Sequence, residues 1–318
     1  MQLRQRIECE GFKASHRTAP QYFMRERKLG FAMFLVSILR KRVKALQNGL
    51  NELSLAMNLP LLTARGYSQG RQQRRHTAFI ELNRALIVPF SRAHTPKTDQ
   101  GLRILACDGS KIRLPTHPTI AEHCGAIASV TGAAPCGIAY GMPDGLNKIG
   151  LDGQLAAAAA YEVDLALAAL EQTTAHDLLL YERTFAAYRL LATLVRCQRH
   201  FVMRCSAGCF AVAQALFAAD QETRQRATLC VPAAQKKRSR PAGLPLSSGV
   251  RFVAVRLSTG GLAVLVTSLL EQAHWPAAAF KPIYNLRWGV ETLFDLIKNR
   301  LSLENFSGKT VQAVRQDF

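Results

Sequence analysis

Tyr284, Arg287, Glu291 and Lys298 stand three, four and seven residues apart, the repeat of an α-helix. At 3.6 residues per turn, all four side chains fall within roughly 60° of one another around the axis. A strand would scatter them over two faces; a helix gathers a phenol, a carboxylate and two cations on one. Leu286, Leu293, Leu296 and Ile297 lie on the other side and give the helix something to bury, and Pro282 suits its first turn. Charges at helical spacing alone describe an ordinary solvated, salt-bridged face. A second segment, Leu102-Arg-Ile-Leu-Ala-Cys-Asp-Gly-Ser-Lys111, shifts the reading. Its apolar, strand-like run delivers Asp108 at its end, just before Gly109 and Ser110. Carboxylates flanked by cations on a basic chain point to a metal-dependent site that handles phosphates.

The charge balance agrees. The 318 residues hold 41 Lys and Arg against 22 Asp and Glu, a net charge of +19. Residues 1–100 alone carry 18 basic and 6 acidic side chains. Such an excess calls for a polyanionic partner, held by long-range attraction and counterion release. A membrane is the weakest such partner. Phe31–Leu39 is too short to span a bilayer, and Met1–Gly11 is polar with Glu8 and Glu10, unlike a secretory leader. Cys205 and Cys209 are the only close pair among eight cysteines, without the histidines or second pair of a zinc site. Reduced thiols in a cytoplasmic protein are expected.

The pattern predicts three regions. Residues 1–98 read as helical and basic, with helices over Phe31–Leu46 and Gln72–Val88. Between them Ala64–Arg75 reads as a loop and helix start, whose Arg71, Arg74 and Arg75 are candidate DNA contacts; a soluble basic surface is the alternative. Ser91–Gln100 reads as a polar linker. From Gly101, strands are expected at Leu102–Cys107, Lys111–Leu114 and within 138–155, then a helix over Tyr161–Gln172. A strand at Leu178–Tyr181, a helix over Phe185–Cys197 and a strand at His200–Cys205 follow, giving an α/β domain with a mixed sheet. Residues 206–275 interrupt this order with a basic loop, Gln235–Gly243, and two strands, Val250–Leu257 and Leu262–Leu269, joined by Ser-Thr-Gly-Gly.

The Tyr-x2-Arg-x3-Glu-x6-Lys signature, matched at every position, resembles the YREK group of DDE insertion-sequence transposases. Asp108-Gly-Ser-Lys-Ile-Arg-Leu-Pro115, His200-Phe-Val-Met-Arg204, Leu265-Val-Thr-Ser-Leu269 and Leu303-Glu-Asn-Phe-Ser-Gly-Lys309 extend the likeness to the last residues. The resemblance implies a ribonuclease-H-like α/β fold. Residues 101–205 would form the first part of the catalytic domain and 206–275 a β-rich insertion. Residues 276–318 would hold the catalytic helix and a truncated end, since relatives continue beyond the position of Phe318. It implies a bacterial DNA transposase that cuts and joins the terminal inverted repeats of an insertion sequence by two-metal hydrolysis and transesterification, working as a homodimer on double-stranded DNA in the cytoplasm. A catalytically inactive remnant that only binds DNA is the alternative, and a nuclease without strand transfer a third.

The same resemblance assigns Asp108, Glu182 and Glu291 as catalytic metal ligands for Mg²⁺ or Mn²⁺, and Tyr284, Arg287 and Lys298 as DNA contacts. At the second carboxylate the group's usual residue is Asp, and the glycine two positions on is here Thr184. Asp177, at the start of that strand, is the rival. Trp288 is expected in the core ahead of stacking on a base, and Glu162 and Asp144 are expected to be structural. His117 and His123 read as surface residues, and Ser110 lacks the nucleophile elbow of a hydrolase.

Overall fold

Ile104–Cys107 are buried completely on both faces, as a central strand requires, and they open β1 (Arg103–Arg113). The computed structural model describes residues 3–24, 28–40, 44–93, 95–129, 132–231, 243–257 and 260–318. β1 pairs antiparallel with β3 (Gly132–Asp144), which pairs antiparallel with β4 (Ile149–Ala157). On its other side β1 runs parallel to β5 (Asp177–Tyr181), and β5 runs parallel to β6 (His200–Arg204). An antiparallel meander followed by two parallel strands is the ribonuclease-H-like arrangement. β2 (Ala126–Ser129) extends one edge. Past β6, the strands β9 (Leu262–Thr267), β8 (Ser247–Arg256) and β7 (Thr223–Cys230) complete a nine-stranded mixed sheet. The expected β-rich segment therefore prolongs the central sheet. The basic loop expected over Gln235–Gly243 lies outside the described residues, save Gly243.

Asp108 sits inside β1 rather than at its end. The Gly-Ser that reads as a turn stays extended because Gly109 and Ser110 pair with Tyr140 and Ala139 of the long β3. Helices cover both faces. α8 (Glu162–Ala169), α9 (Tyr188–Arg196) and α10 (Ala211–Ala219) bury Val163, Leu191 and Ala213 against Cys107, Tyr140 and Phe201. On the opposite face α11 (Ala277–Asn285) sets Phe280, Ile283 and Tyr284 on Leu178, Leu180 and Val253. Beside it α12 (Trp288–Asp295) sets Val290 and Phe294 on Ala106 and Ile112. Each fully buried Leu, Ile, Val or Phe contributes about 1.5–3 kcal/mol.

The signature segment is not one uniform helix. Pro282 lies within α11, five residues after its first, and not in a first turn. The chain then tightens: Leu286 and Arg287 donate to the carbonyls of Ile283 and Tyr284, three residues back. α12 follows, and Leu296–Arg300 form a π-turn that carries Lys298.

The N-terminal region is helical, with boundaries that differ from those expected. It comprises α1 (Leu3–Glu8), α2 (Glu10–His16), α3 (Phe31–Leu39), α4 (Leu46–Ala56), α5 (Ala64–Gln72) and α6 (Thr77–Ala93), so that the helix expected over Phe31–Leu46 stops at Leu39 and the one expected over Gln72–Val88 starts five residues later. The stretch expected to be a DNA-contacting loop is α5, capped by Thr63, whose side chain accepts from the Gly66 amide. Two expected DNA contacts, Arg71 on α5 and Arg74 just past its end, are corrected. Arg71 is buried and donates to Gln316, Ser307, Asp317 and the Ala313 carbonyl, on or beside α13 (Val311–Asp317). Arg74 is fully buried, its guanidinium 3.4 Å from the Phe34 ring centroid and 3.8 Å from that of Phe23. Neither can reach a phosphate from there. Both are buried, as is Tyr67, which stacks on Phe34 of α3, while α5 itself meets α13. Arg75 remains exposed.

Candidate active site

The register of three neighbouring strands builds this site. Cys107, Tyr181 and Met203 form the last paired row of β1, β5 and β6. The next residue on each is Asp108, Glu182 and Arg204. Adjacent strands lie about 4.8 Å apart, so one step along the ladder sets these three side by side. They emerge on the face covered by α11 and α12; these helices supply Tyr284 and Glu291, and the turn between them supplies Arg287.

Arg287 occupies the middle. Its side chain is 5 % exposed, and its three nitrogens reach three carboxylates. Nη2 donates to Glu291 Oε1 at 2.7 Å, Nε lies 3.3 Å from Glu182 Oε2, and Nη1 lies 3.5 Å from Asp108 Oδ2. The residues read from the sequence as catalytic carboxylates thus lie about one guanidinium, and Asp108 and Glu291 are brought together across 183 positions of chain. Nε and Nη1 make ion pairs without hydrogen-bond geometry. Burial alone would lower the Arg287 pKa; its bond to Glu291, with Tyr284 and Glu182 nearby, outweighs this and raises it.

Glu182 has further partners. The Tyr284 hydroxyl donates to its Oε2 at 2.7 Å, while Arg204 and Arg183 lie 3.6 and 3.8 Å from Oε1. Burial, then the charge of Glu182, raise the Tyr284 pKa, so its phenol stays protonated and donating. Asp177 sits at the other end of β5, 1 % exposed, gripped by Arg103 at 2.7 and 2.9 Å. Lys298 donates to the Ser110 hydroxyl at 2.6 Å and the Lys111 carbonyl at 2.9 Å, which ties the π-turn to β1 two residues past Asp108. Ser110 is therefore engaged by a lysine, with no histidine bonded to it among the described residues.

Sequence reasoning missed Arg204 here and read Glu162 and Trp288 differently from where they stand. Arg204 closes the row beside Glu182; the strand His200–Arg204 was legible, its register was not. Glu162, expected to be structural, faces the site from the opposite side of the sheet. A Cβ at position 109 would fall 2.5 Å from Glu162 Oε1, so Gly109 is the residue that admits this carboxylate. Trp288, expected in the core, is 59 % exposed beside the site. Asp144 does cap the turn after β3, accepting from the amides of Leu146 and Asn147. His117 caps α7 (Pro118–Cys124), and His123 bonds Arg315.

Burial pushes the Asp108 carboxyl up to about 6; the Gly109 amide and Arg287 lower it, and Glu162 and Glu182 raise it. The native state therefore holds this proton more tightly than the unfolded chain between about pH 4 and about pH 6. Its contribution to stability is present at the low end of that window and is lost as pH rises through it. Asp108→Asn cannot ionise, so urea unfolding of the metal-free variant should show a flatter dependence between pH 4.5 and 7. An unchanged profile would mean that Asp108 is not the perturbed group.

Among the described residues, no three His, Cys, Asp or Glu stand in metal-ligating geometry. The donor set is nevertheless all carboxylate oxygen and suits a hard divalent ion such as Mg²⁺. Arg287 already supplies a cation at its centre. No helix among the described residues is long and apolar enough to cross a membrane.

No curated protein matches the chain. Among solved structures it is similar to piggyBac transposase, seen by cryo-EM in a synaptic complex with hairpin DNA, at 9 % identity and a TM-score of 0.44. That match covers 89 % of this chain and 62 % of the other, so the chain spans less than two thirds of its length. The family described as the transposase DDE domain matches residues 99–318, well over half of the sequence. The chain belongs to the DDE transposase family.

Proposed function

We propose that this chain is a DNA transposase of the YREK group, which cleaves and rejoins the terminal inverted repeats of an insertion sequence. The observation that carries this reading is the gathering of Asp108, Glu182 and Glu291 on one buried guanidinium. Asp108, Glu182 and Glu291 would hold Mg²⁺, or Mn²⁺, whose geometry is more permissive. Bound there, divalent ions would activate an attacking hydroxyl and neutralise the leaving oxygen.

The chain's own residues then have distinct tasks. Tyr284 orients Glu182 through its hydroxyl. Arg287 holds the three carboxylates, and with metal bound there it would be free to hold the phosphate flanking the cut. Lys298, already beside Ser110, holds a second phosphate, and exposed Trp288 offers a face for an unstacked base. Residues 1–98 serve as the DNA-binding region, with Arg75 as its exposed contact. Residues 101–205 form the first part of the catalytic domain, 206–275 its insertion and 276–318 the catalytic helix segment. Two copies would act together on paired element ends.

A second reading, a chain that binds DNA without cutting it, is favoured by one observation: Arg287 fills the space a metal ion would need. One experiment separates the two. Duplexes carrying the DNA that flanks the gene are incubated with the chain in Mn²⁺ or in EDTA, and nicked and joined products are resolved. The transposase reading expects nicking in Mn²⁺ only, lost in Glu182→Gln. Asp177→Asn, which breaks the grip of Arg103 at the far end of β5, should lower stability yet leave cleavage per folded molecule intact. Binding without cleavage in either ion sinks the enzyme reading. Cleavage lost in Asp177→Asn but kept in Glu182→Gln moves the second ligand to Asp177.

A further inference from the structure

The far edge of the sheet carries a cationic face separate from the carboxylate centre. In the β7–β8 ladder Arg226 stands directly opposite Arg251, and Arg224 opposite Val253. Side chains two apart on a strand, and those directly across a ladder, share a face, so all three arginines project together. This is the face on which Val253 and Val255 meet Phe280 and Tyr284 of α11, the same side as Asp108 and Glu182.

Arg251 is the informative member. It is 0 % exposed; its Nη1 donates to the Trp275 carbonyl at 2.6 Å, and its guanidinium lies 5.1 Å from the Phe280 ring centroid. Its Nε and Nη2 have no hydrogen-bond partner. Burial, then the neighbouring charges of Arg224 and Arg226, lower its pKa. Arg226 donates to the Leu270 carbonyl at 2.8 Å, and both β7 arginines are exposed. Among the described residues none of the three is paired with a carboxylate.

Arginines on an edge strand guard against pairing with another sheet, and that accounts for Arg224 and Arg226. It does not account for a third arginine buried behind them. Like charges directly opposite in a ladder destabilise it, and a buried cation short of partners costs more. An anion held there would relieve the arrangement.

We propose that Arg224, Arg226 and Arg251 form a phosphate-binding face that receives the backbone of DNA engaged at the carboxylate centre. Arg224 and Arg226 contact the phosphates, spaced about 6.7 Å along the strand, and Arg251 adds its field from behind. β7 lies four strand spacings from β5, about 19 Å, within reach of one duplex lying across the sheet. The proposal rests on the transposase reading for its choice of DNA.

The test is binding of a fluorescent duplex of flanking DNA in EDTA, across a series of salt concentrations. Arg224→Gln/Arg226→Gln changes exposed residues only, and a thermal melt confirms the fold before binding is measured. Loss of two phosphate contacts should lower the slope of log K against log salt by about 1.8 and weaken binding at least about tenfold. Inorganic phosphate at about 10 mM should compete no better than chloride at matched ionic strength, because a continuous backbone engages both arginines. A slope and affinity equal to those of the native chain overturn the proposal, as does selective displacement of DNA by phosphate. Failure of the native chain to bind any duplex overturns the transposase reading itself, and the site with it.

Discussion

Asp108→Asn is expected to lower divalent-ion-dependent strand cleavage by at least about 10³-fold, the equivalent of ~4 kcal/mol in the barrier. Asn keeps the size and shape of the side chain and can still accept from the Gly109 amide, the bond Asp108 makes at 2.8 Å. It removes one negative charge of the three grouped about Arg287. An ion held there would lose its ligand on the central strand β1. The fold should survive, since Asp108 is pushed towards its protonated form by burial in any case. A rate within about tenfold of the native chain would show that Asp108 is no ligand.

The second large effect is on stability. Arg71 and Asp317 form a pair at 2.9 Å, with side chains 2 % and 4 % exposed. Arg71→Met leaves Asp317 buried with only Ser307 to satisfy it, and the Ala313 carbonyl loses its donor. Breaking one side of such a pair costs about 3–5 kcal/mol. Urea unfolding should show that loss for Arg71→Met and for Asp317→Asn, and the double variant should cost clearly less than the sum. Because this pair joins α5 to α13, amide exchange should quicken in both elements. Additive losses would mean that the two residues stabilise the fold independently.

Much of the catalytic sheet was legible in the sequence. The runs Leu178–Tyr181 and His200–Cys205 read as buried strands because they are short, apolar and bounded by turns, and each stands within one residue of its reading. The resemblance carried by Tyr284, Arg287, Glu291 and Lys298 points to the family from the sequence alone. What escaped reading was set by partners distant in the chain. Asp108 continues within a strand because β3 is long enough to pair with it, overriding the local turn preference of Gly-Ser. Arg71 lies in a polar, glycine-containing stretch that reads as surface, and its burial is made tolerable by partners more than 230 residues on, with Asp317 supplying the opposite charge. Arg287 was placed on the right helical side by spacing. That its guanidinium would bridge three carboxylates depended on the register of β1 with β5, which no periodicity encodes.

On the function proposed above, Asp108, Glu182 and Glu291 together hold a divalent ion in place of the Arg287 guanidinium. The free Mn²⁺ remaining after titration of the chain bound to flanking DNA, read by electron paramagnetic resonance, tests it most directly. Asp108→Asn and Glu291→Gln should each weaken Mn²⁺ binding by at least about tenfold, since loss of a mere outer partner already costs about 10–100-fold. Arg287→Ala should bind Mn²⁺ more tightly than the native chain when DNA is absent. Equal Mn²⁺ binding by the native chain and both carboxylate variants would contradict it.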